Sequence, residues 1–185
     1  NYLIKSIFGA VPTRRQRNNV FEYYVLSKGI YQFIQKNFSE LIGGSLTKHI
    51  PKAILKSPNH VLASFIKTLF ECDSYVNKVK KQIEYCTISE NLVDEIQQSL
   101  LRFGILSRKK TKIRYATNTE AKRRITAYEL IIGRESLKKY QEYINFVSER
   151  KKQALLTSLV GKSNTNVDIV PNVQYVLKTI RSKLR

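Results

Sequence analysis

Residues 65–76 read FIKTLFECDSYV, and within this stretch a helical pattern gives way to an extended one. Ser57 and Pro58 stand upstream as an N-cap and first helical position, a combination that commonly begins a helix. We therefore expect a helix over residues 58–74, followed by a short strand over residues 75–79. An apolar helix that carries an acid, Asp73, near its C-terminal end would then lead directly into a sheet.

The sequence after residue 79 alternates between strand and helix patterns. Strands are indicated where apolar and polar residues alternate, and helices where apolar residues recur at helical spacing. The predicted strands cover residues 82–89, 105–116 and 124–132, and the predicted helices cover 90–102 and 135–143, with another beginning near Ser148. This order predicts an α+β fold: an αββαββα lobe whose four-stranded antiparallel sheet has helices on one face and leaves the other face free.

The N-terminal region contains a similar strand and helix. Residues 20–27 have the composition of a strand, Ser27 is a suitable N-cap, and residues 28–41 have helical spacing. This pair loosely repeats the strand and helix over residues 128–143. We interpret residues 1–57 as the C-terminal part of a first lobe, 58–160 as a second lobe, and 161–185 as a tail with a helix that leads to a neighbouring domain. Because the chain begins at Asn1 and has no methionine, we expect it to be a segment of a longer protein.

The chain is strongly basic. Lysine and arginine outnumber acidic residues 33 to 14, which gives a formal net charge of +19. The usual partner of such an excess is a nucleic acid, and the alternatives are a membrane surface or simple solubility. No stretch reaches the ~20 apolar residues needed to cross a bilayer. Cys72 and Cys86 form no CxxC pair, and the two histidines have no metal-ligand spacing. We therefore expect an intracellular protein without a zinc site.

Basic residues cluster between residues 108 and 124, where the only acid is Glu120. Alternate residues of a strand point to the same face, so Lys110, Lys112 and Arg114 can point together. A two-stranded ribbon fits the DNA major groove, and we predict that this ribbon binds double-stranded DNA. The alternative is a solvated, charged hairpin. The predicted DNA-binding residues are Arg108, Lys109, Lys110, Lys112, Arg114, Lys122, Arg123 and Arg124.

Residues 66–74 resemble the second motif of the LAGLIDADG homing endonucleases, in the form carried within inteins. The resemblance covers about residues 20–175, so it does not depend on nine residues alone. It includes the segment before the motif, the helix after it, the closing part of the lobe and the tail, at residues 48–51, 89–92, 100–105, 132–137, 146–151 and 164–171.

This resemblance implies a site-specific, metal-dependent endonuclease that cuts double-stranded DNA. It marks Asp73 as the catalytic carboxylate that binds Mg²⁺, the implied cofactor. It also matches Lys151 to a basic residue near the metals of the second lobe, and Lys48 to the counterpart of that residue in the first lobe. A lysine at such a position can stabilise negative charge that develops at phosphorus.

The chain also departs from the family pattern. Thr68 and Ser74 replace the small residues usual where two motif helices cross, and Glu71 stands at the first acid of the motif. No first motif is present, so we expect the partner carboxylate upstream of Asn1. A homodimer through the Asp73 helix is an alternative, although residues 1–57 argue against a symmetric one. Two other functions stay open: a truncated or decayed protein that binds DNA without cleaving it, and an RNA-splicing maturase.

Overall fold

The computed structural model describes residues 2–18, 20–115, 124–161 and 173–184, with side chains in the last segment described from residue 178. The N-terminal part comprises α1 (Tyr2–Phe8), β1 (Thr13–Arg17), β2 (Val20–Tyr24), α2 (Lys28–Asn37) and a 3-10 turn (Ser39–Leu41). The following part comprises α3 (Lys52–Leu55), α4 (Asn59–Asp73), β3 (Ser74–Asn77), β4 (Gln82–Thr87), α5 (Glu90–Leu101), β5 (Ser107–Tyr115), β6 (Arg124–Ile132), α6 (Arg134–Tyr143), α7 (Glu149–Leu159) and α8 (Val173–Lys183).

Strands β3 to β6 form one four-stranded sheet in the order β3-β4-β6-β5. All three strand pairs are antiparallel, and β5 pairs with β6 from Ser107 opposite Ile132 to Tyr115 opposite Arg124. The order α4, β3, β4, α5, β5, β6, α6 is the predicted αββαββα lobe. The predicted α+β fold is therefore confirmed.

Helix α4 ends where the sequence pattern changes, but it begins one residue later than expected. Pro58 is the N-cap, with an extended ψ of 156°, and is not the first helical residue. Ser57 does not cap this helix, because its hydroxyl donates to the carbonyl of Ile54 at 2.6 Å and so closes α3. At the other end Ser74 turns extended and its N–H donates to the carbonyl of Phe70. The acid at position 73 is thus the last residue of the helix.

The core lies between one face of the sheet and the helices α4 to α7. Ile83, Tyr85, Leu130 and Ile132 point from β4 and β6 into this layer, and all four are buried. Phe70 of α4 stacks on the ring of Tyr85 with centroids 5.0 Å apart. Burial of large aromatic and branched side chains on a single sheet face is what fixes this register, because a slip of one residue would expose them.

The opposite sheet face, hereafter the free face, carries basic side chains from β5. Lys110 of β5 lies opposite Glu129 of β6, and Lys112 lies opposite Ala127, so these residues share the face that points away from the core. Alternate residues of β5 therefore present basic side chains on the free face, as the strand period requires.

The N-terminal part differs most from the sequence-based expectation. The pattern does not predict α1 or β1, because TRRQR over Thr13–Arg17 lacks apolar alternation. Helix α2 begins after Ser27, whose hydroxyl accepts the N–H of Ile30 at 3.2 Å as predicted, but it ends at Asn37 and not at residue 41. Among the described residues of α1, β1, β2 and α2, none is buried. These elements therefore make no core of their own.

The last helix, α8, forms over Val173–Lys183 as the spacing predicts. Its Ile180 is half exposed. No helix within the described ranges is both long and apolar enough to span a bilayer.

Candidate active site and nucleic-acid interface

One cavity of about 340 Å³ lies at the end of α4, where that helix meets the sheet. Its lining combines Asp73 from α4, Lys48 from the segment before α3, and Arg114 from β5. The cavity thus brings together two of the three predicted catalytic residues and one predicted DNA-binding residue. The remaining lining residues are Ser45, Cys86, Thr87, Ile88, Tyr115, Ile125 and Ala127.

Asp73 presents an exposed carboxylate to this cavity. Within the described part of the chain, its side chain has no hydrogen-bond or ion-pair partner. A negative charge at the C-terminal end of a helix is disfavoured, because the helix dipole is also negative there. An exposed, unpaired acid at this place therefore gains from a cation nearby.

Lys48 is held by the N-terminal half of α5. The hydroxyl of Ser89 donates to the carbonyl of Lys48 at 2.7 Å, and it also accepts the N–H of Leu92 as the N-cap of α5. The carboxylate of Glu95 accepts the N–H of Ile50 at 2.7 Å and lies 2.9 Å from Nδ1 of His49. The backbone on both sides of the lysine is thus fixed while its side chain is exposed.

Ser89 and Glu95 are functional candidates that the sequence analysis missed. A serine before a helical pattern is a recognisable N-cap signal, so the local half of the Ser89 contact could have been found. The contacts from Ser89 to Lys48 and from Glu95 to Ile50 join residues more than forty positions apart. No local pattern reports such pairs.

Lys151 is not among the residues that line this cavity. Its side chain is buried, and only 5% of the residue is exposed. The Nζ atom donates to the carbonyls of Phe70, Glu71 and Ser74 at 2.9, 2.6 and 2.8 Å, and it also lies 5.4 Å from the ring centroid of Phe146. Burial lowers the pKa of this ammonium group below its usual value.

On the free sheet face, the side chains of Lys112 and Arg114 lie near the buried carboxylate of Glu129. Glu129 is only 4% exposed, and its carboxylate lies 2.6 Å from Nζ of Lys112 and 3.9 Å from the guanidinium of Arg114. The backbone of Lys110 lies opposite the same glutamate, and strand alternation gives Arg108 the same side of β5. The predicted alignment of Lys110, Lys112 and Arg114 on one face is consistent with this register.

A second acid, Glu84 of β4, lies on the same face. Burial raises the pKa of its carboxyl, but hydrogen bonds from Gln82 and Asn77, at 2.6 and 3.0 Å, outweigh burial and leave the pKa lowered. The charge of Lys112 acts in the same direction. The free face is therefore a basic surface with two acidic side chains, Glu84 and Glu129, within it.

Lys109 and Arg124 lie on the other side of the ribbon. Nζ of Lys109 is 2.6 Å from Asp94 and 2.9 Å from Glu90, both on α5. These hydrogen bonds raise the pKa of the lysine although its partial burial lowers it. Arg124 pairs with Tyr115, whose ring centroid is 5.8 Å from its guanidinium carbon. Lys122 and Arg123, also predicted to bind DNA, lie outside the described residues.

Comparison with known proteins identifies the lobe. The sequence model of the LAGLIDADG-like domain family matches residues 60–145, from the first turn of α4 to just beyond α6. This segment is a LAGLIDADG-like domain. The family predicted from residues 66–74 is thereby confirmed, and Asp73 is the last residue of the helix that carries the motif.

The LAGLIDADG-like domain has curated relatives in Methanocaldococcus jannaschii. The replication factor C small subunit is 28% identical over 177 residues, and the ATP-dependent DNA helicase Hel308 is 36% identical over 142 residues. These alignments cover 95% and 70% of this chain, but 9% and 12% of the relatives. The chain thus spans about a tenth of the length of these curated relatives.

Solved structures share the fold over most of this chain. A variant of I-DmoI, crystallised with its target DNA and magnesium, has a TM-score of 0.54 and 15% identity. I-DmoI with DNA and manganese has a TM-score of 0.51 and 16% identity. Both superpositions cover 80% of this chain and 70% of the other chain. I-DmoI is a homing endonuclease, and at this level of identity the likeness establishes the fold.

Proposed function

We propose that this chain is part of a metal-dependent, site-specific endonuclease that cleaves double-stranded DNA. The observation that carries the proposal is the convergence of Asp73, Lys48 and Arg114 on one cavity, from three separate elements. The family membership of residues 60–145 and the shared fold of a DNA-bound homing endonuclease support it.

DNA would lie across the free sheet face and its phosphates would reach the cavity. Lys112 and Arg114 point to this face, and Arg114 belongs to both the face and the cavity lining. A two-stranded β-ribbon has the dimensions of the major groove. The chain has a net charge of +19. Contacts between its basic side chains and the phosphates would release counterions from the duplex, and this release favours binding.

The residues at the cavity suit the roles that the chemistry requires. Mg²⁺ in nucleic-acid enzymes is commonly held by one or two carboxylates together with substrate phosphate oxygens and water, and the exposed Asp73 can supply one such carboxylate. A bound Mg²⁺ would make water a better nucleophile and offset charge on the leaving oxygen. The ammonium of Lys48 would stabilise the negative charge that develops at phosphorus. Arg114 would hold a phosphate through its planar fork of donors.

We also propose the organisation of the longer protein. Residues 58–160 would be the second endonuclease lobe, residues 1–57 the end of a first lobe, and residues 161–185 a tail leading to another domain. The lack of buried residues in α1, β1, β2 and α2 supports this division, because these elements have no core within the described residues. The relatives have unrelated names and share only a small part of their length with the chain. A module inserted into unrelated hosts, as an intein is, accounts for this.

A second candidate function is DNA binding without cleavage. Among the described residues, Asp73 is the one acid that lines the cavity, and no group of three or more His, Cys, Asp or Glu side chains there could hold a metal ion. Cleavage of two strands therefore needs a further carboxylate from beyond the described residues or from another molecule.

Incubation of the proposed longer protein, which would include the first lobe, with a plasmid library, followed by sequencing of new DNA ends, separates the two candidates. Discrete cut sites in Mg²⁺ that disappear with a chelator are the result expected for the endonuclease. Salt-sensitive duplex binding without new ends would support the second candidate. A preference for structured RNA over duplex DNA would contradict both and favour an RNA-splicing role.

A further inference from the structure

Hydrogen bonds in both directions join the C-terminal end of α4 to the N-terminal end of α7. Each helix end leaves backbone groups without partners inside the helix: carbonyls at a C-terminus and N–H groups at an N-terminus. Here a lysine from α7 meets the carbonyls of α4, and a glutamate from α4 meets the N–H groups that begin α7. Asp73 lies within the segment that this arrangement holds.

The first half of the arrangement is Lys151. Its ammonium has three N–H groups, and the structure gives it three carbonyl acceptors at 2.6 to 2.9 Å, from Phe70, Glu71 and Ser74. These acceptors flank Asp73 on both sides. With all three donors used and 5% of the residue exposed, this lysine has no donor left for a DNA phosphate.

The second half is Glu71. Its carboxylate accepts the N–H of Val147 at 2.9 Å and the N–H of Ser148 at 3.2 Å. Burial raises the pKa of this carboxyl, but the hydrogen bonds from Ser148 and Val147 outweigh burial and leave the pKa lowered. Ser148 in turn caps α7 through the N–H of Lys151. A negative side chain at the N-terminus and a positive one at the C-terminus both agree with the helix dipoles.

We infer that Lys151 is a positioning residue, which fixes the Asp73 carboxylate by capping the end of α4, and that it does not contact DNA or the reacting phosphate. Glu71 supports the same end of α4, because its carboxylate accepts the N–H groups of Val147 and Ser148 just before α7. Lys48 is then the lysine that acts directly at the cavity. The link to Asp73 chemistry depends on the proposed endonuclease function, whereas the location of the Lys151 ammonium does not.

Nuclear magnetic resonance of the DNA-free chain tests the location first. The ammonium protons of Lys151 should exchange with water at least tenfold more slowly than those of Lys48. Addition of inorganic phosphate or a duplex should leave the Lys151 signal in place and shift that of Lys48. Rapid exchange of the Lys151 protons, or a shift with phosphate, would overturn the inference whether or not the chain cleaves DNA.

The effect on Asp73 is tested with the variants Lys151→Met and Glu71→Gln. Lys152→Met is a matched control, since Lys152 is adjacent on α7 and its side chain is more exposed. The carboxyl carbon signal of Asp73 should shift in both test variants and stay in place in the control. Glu71→Gln keeps a side chain of the same shape, so it serves if Lys151→Met fails to fold. An unmoved Asp73 signal in a folded test variant would contradict the positioning role.

Cleavage and binding then separate positioning from direct contact. Both test variants should cleave at least tenfold more slowly, with duplex affinity and its salt dependence unchanged. If Lys151 instead neutralised a phosphate, Lys151→Met would lower the slope of log K against log salt by about 0.9, and Glu71→Gln would not. That result would contradict the inference. If the longer protein with the first lobe does not cleave, the proposed function fails, and the two magnetic resonance tests still decide the role of Lys151.

Discussion

The carboxylate of Glu129 lies 2.6 Å from Nζ of Lys112 in the middle of the free sheet face. The glutamate is almost fully buried, whereas the lysine is about half exposed. The proposed DNA-binding face thus contains an acidic side chain beneath two of its cations, Lys112 and Arg114. That side chain holds Lys112 and Arg114 in place, and it also competes with phosphate for them.

Replacement of Glu129 by Gln should strengthen duplex binding. Loss of one negative charge leaves Lys112 and Arg114 free for phosphate, and a gain of about 1 kcal/mol corresponds to about fivefold in affinity. Fluorescence anisotropy at fixed salt measures this change. Weaker binding by a variant with an unaltered melting temperature would mean instead that Glu129 orients the two cations for DNA.

Lys112 and Lys109 form a matched pair, because they lie on opposite sides of the same strand. Lys112→Ala should reduce the slope of log K against log salt by about 0.9, since one phosphate contact is lost. Lys109→Ala should leave the slope unchanged, because this lysine is held by Asp94 and Glu90 on α5. Equal changes in slope for the two variants would contradict the assignment of the free face as the DNA-binding surface.

Replacement of Glu95 by Ala should disturb the position of Lys48, because the Glu95 carboxylate fixes the backbone next to that lysine. The buried N–H of Ile50 would lose its acceptor, which should cost about 1–3 kcal/mol in the free energy of unfolding. The cleavage rate should fall with little change in duplex affinity. Asn91→Ala is the control, because Asn91 makes only a 3.3 Å contact with His49. Unchanged cleavage by a folded Glu95→Ala protein would show that this carboxylate does not position Lys48.

The hydrogen bonds to Glu71 should appear as a pH dependence of stability. Its folded-state pKa lies below the reference value of 4.5, so the unfolded chain takes up a proton first as the pH falls. The contribution of Glu71 is therefore complete above the unfolded pKa and is lost as the pH falls through the folded pKa. Urea unfolding of wild type and Glu71→Gln at about pH 6 and about pH 3 should give a larger difference between the two proteins at the higher pH. A difference that does not change with pH would argue against an ionised, hydrogen-bonded Glu71.

Local sequence patterns predicted the elements between residues 58 and 143 well, because these elements have strong periodicity and clear stop signals. Gly104, for example, takes a positive φ of 64° just after α5, and a glycine in this conformation commonly follows the end of a helix. The same patterns failed for β1, whose basic residues carry no alternation. The position of Asp73 at a helix end could be predicted because helix and strand meet at Ser74.

The contacts that distinguish Lys48 from Lys151 could not be predicted from sequence. Both are lysines in segments that resemble the same family, yet Lys48 lines the cavity and Lys151 is buried against carbonyls of α4. The partners of Lys151 lie about eighty residues earlier in the chain. The spacing of residues within α7 does not indicate which helix Lys151 contacts, or at which end.

The proposed function assigns the Asp73 carboxylate to Mg²⁺-dependent cleavage of duplex DNA. The most direct test compares new DNA ends produced from a plasmid library by the proposed longer protein, which would include the first lobe, in its wild-type form and as Asp73→Asn, with Glu142→Gln as a control at an exposed acid of α6. We expect discrete cuts by the wild type and the control, a loss of at least a hundredfold in Asp73→Asn, and retained duplex binding in all three. Cuts that persist in Asp73→Asn would contradict this assignment.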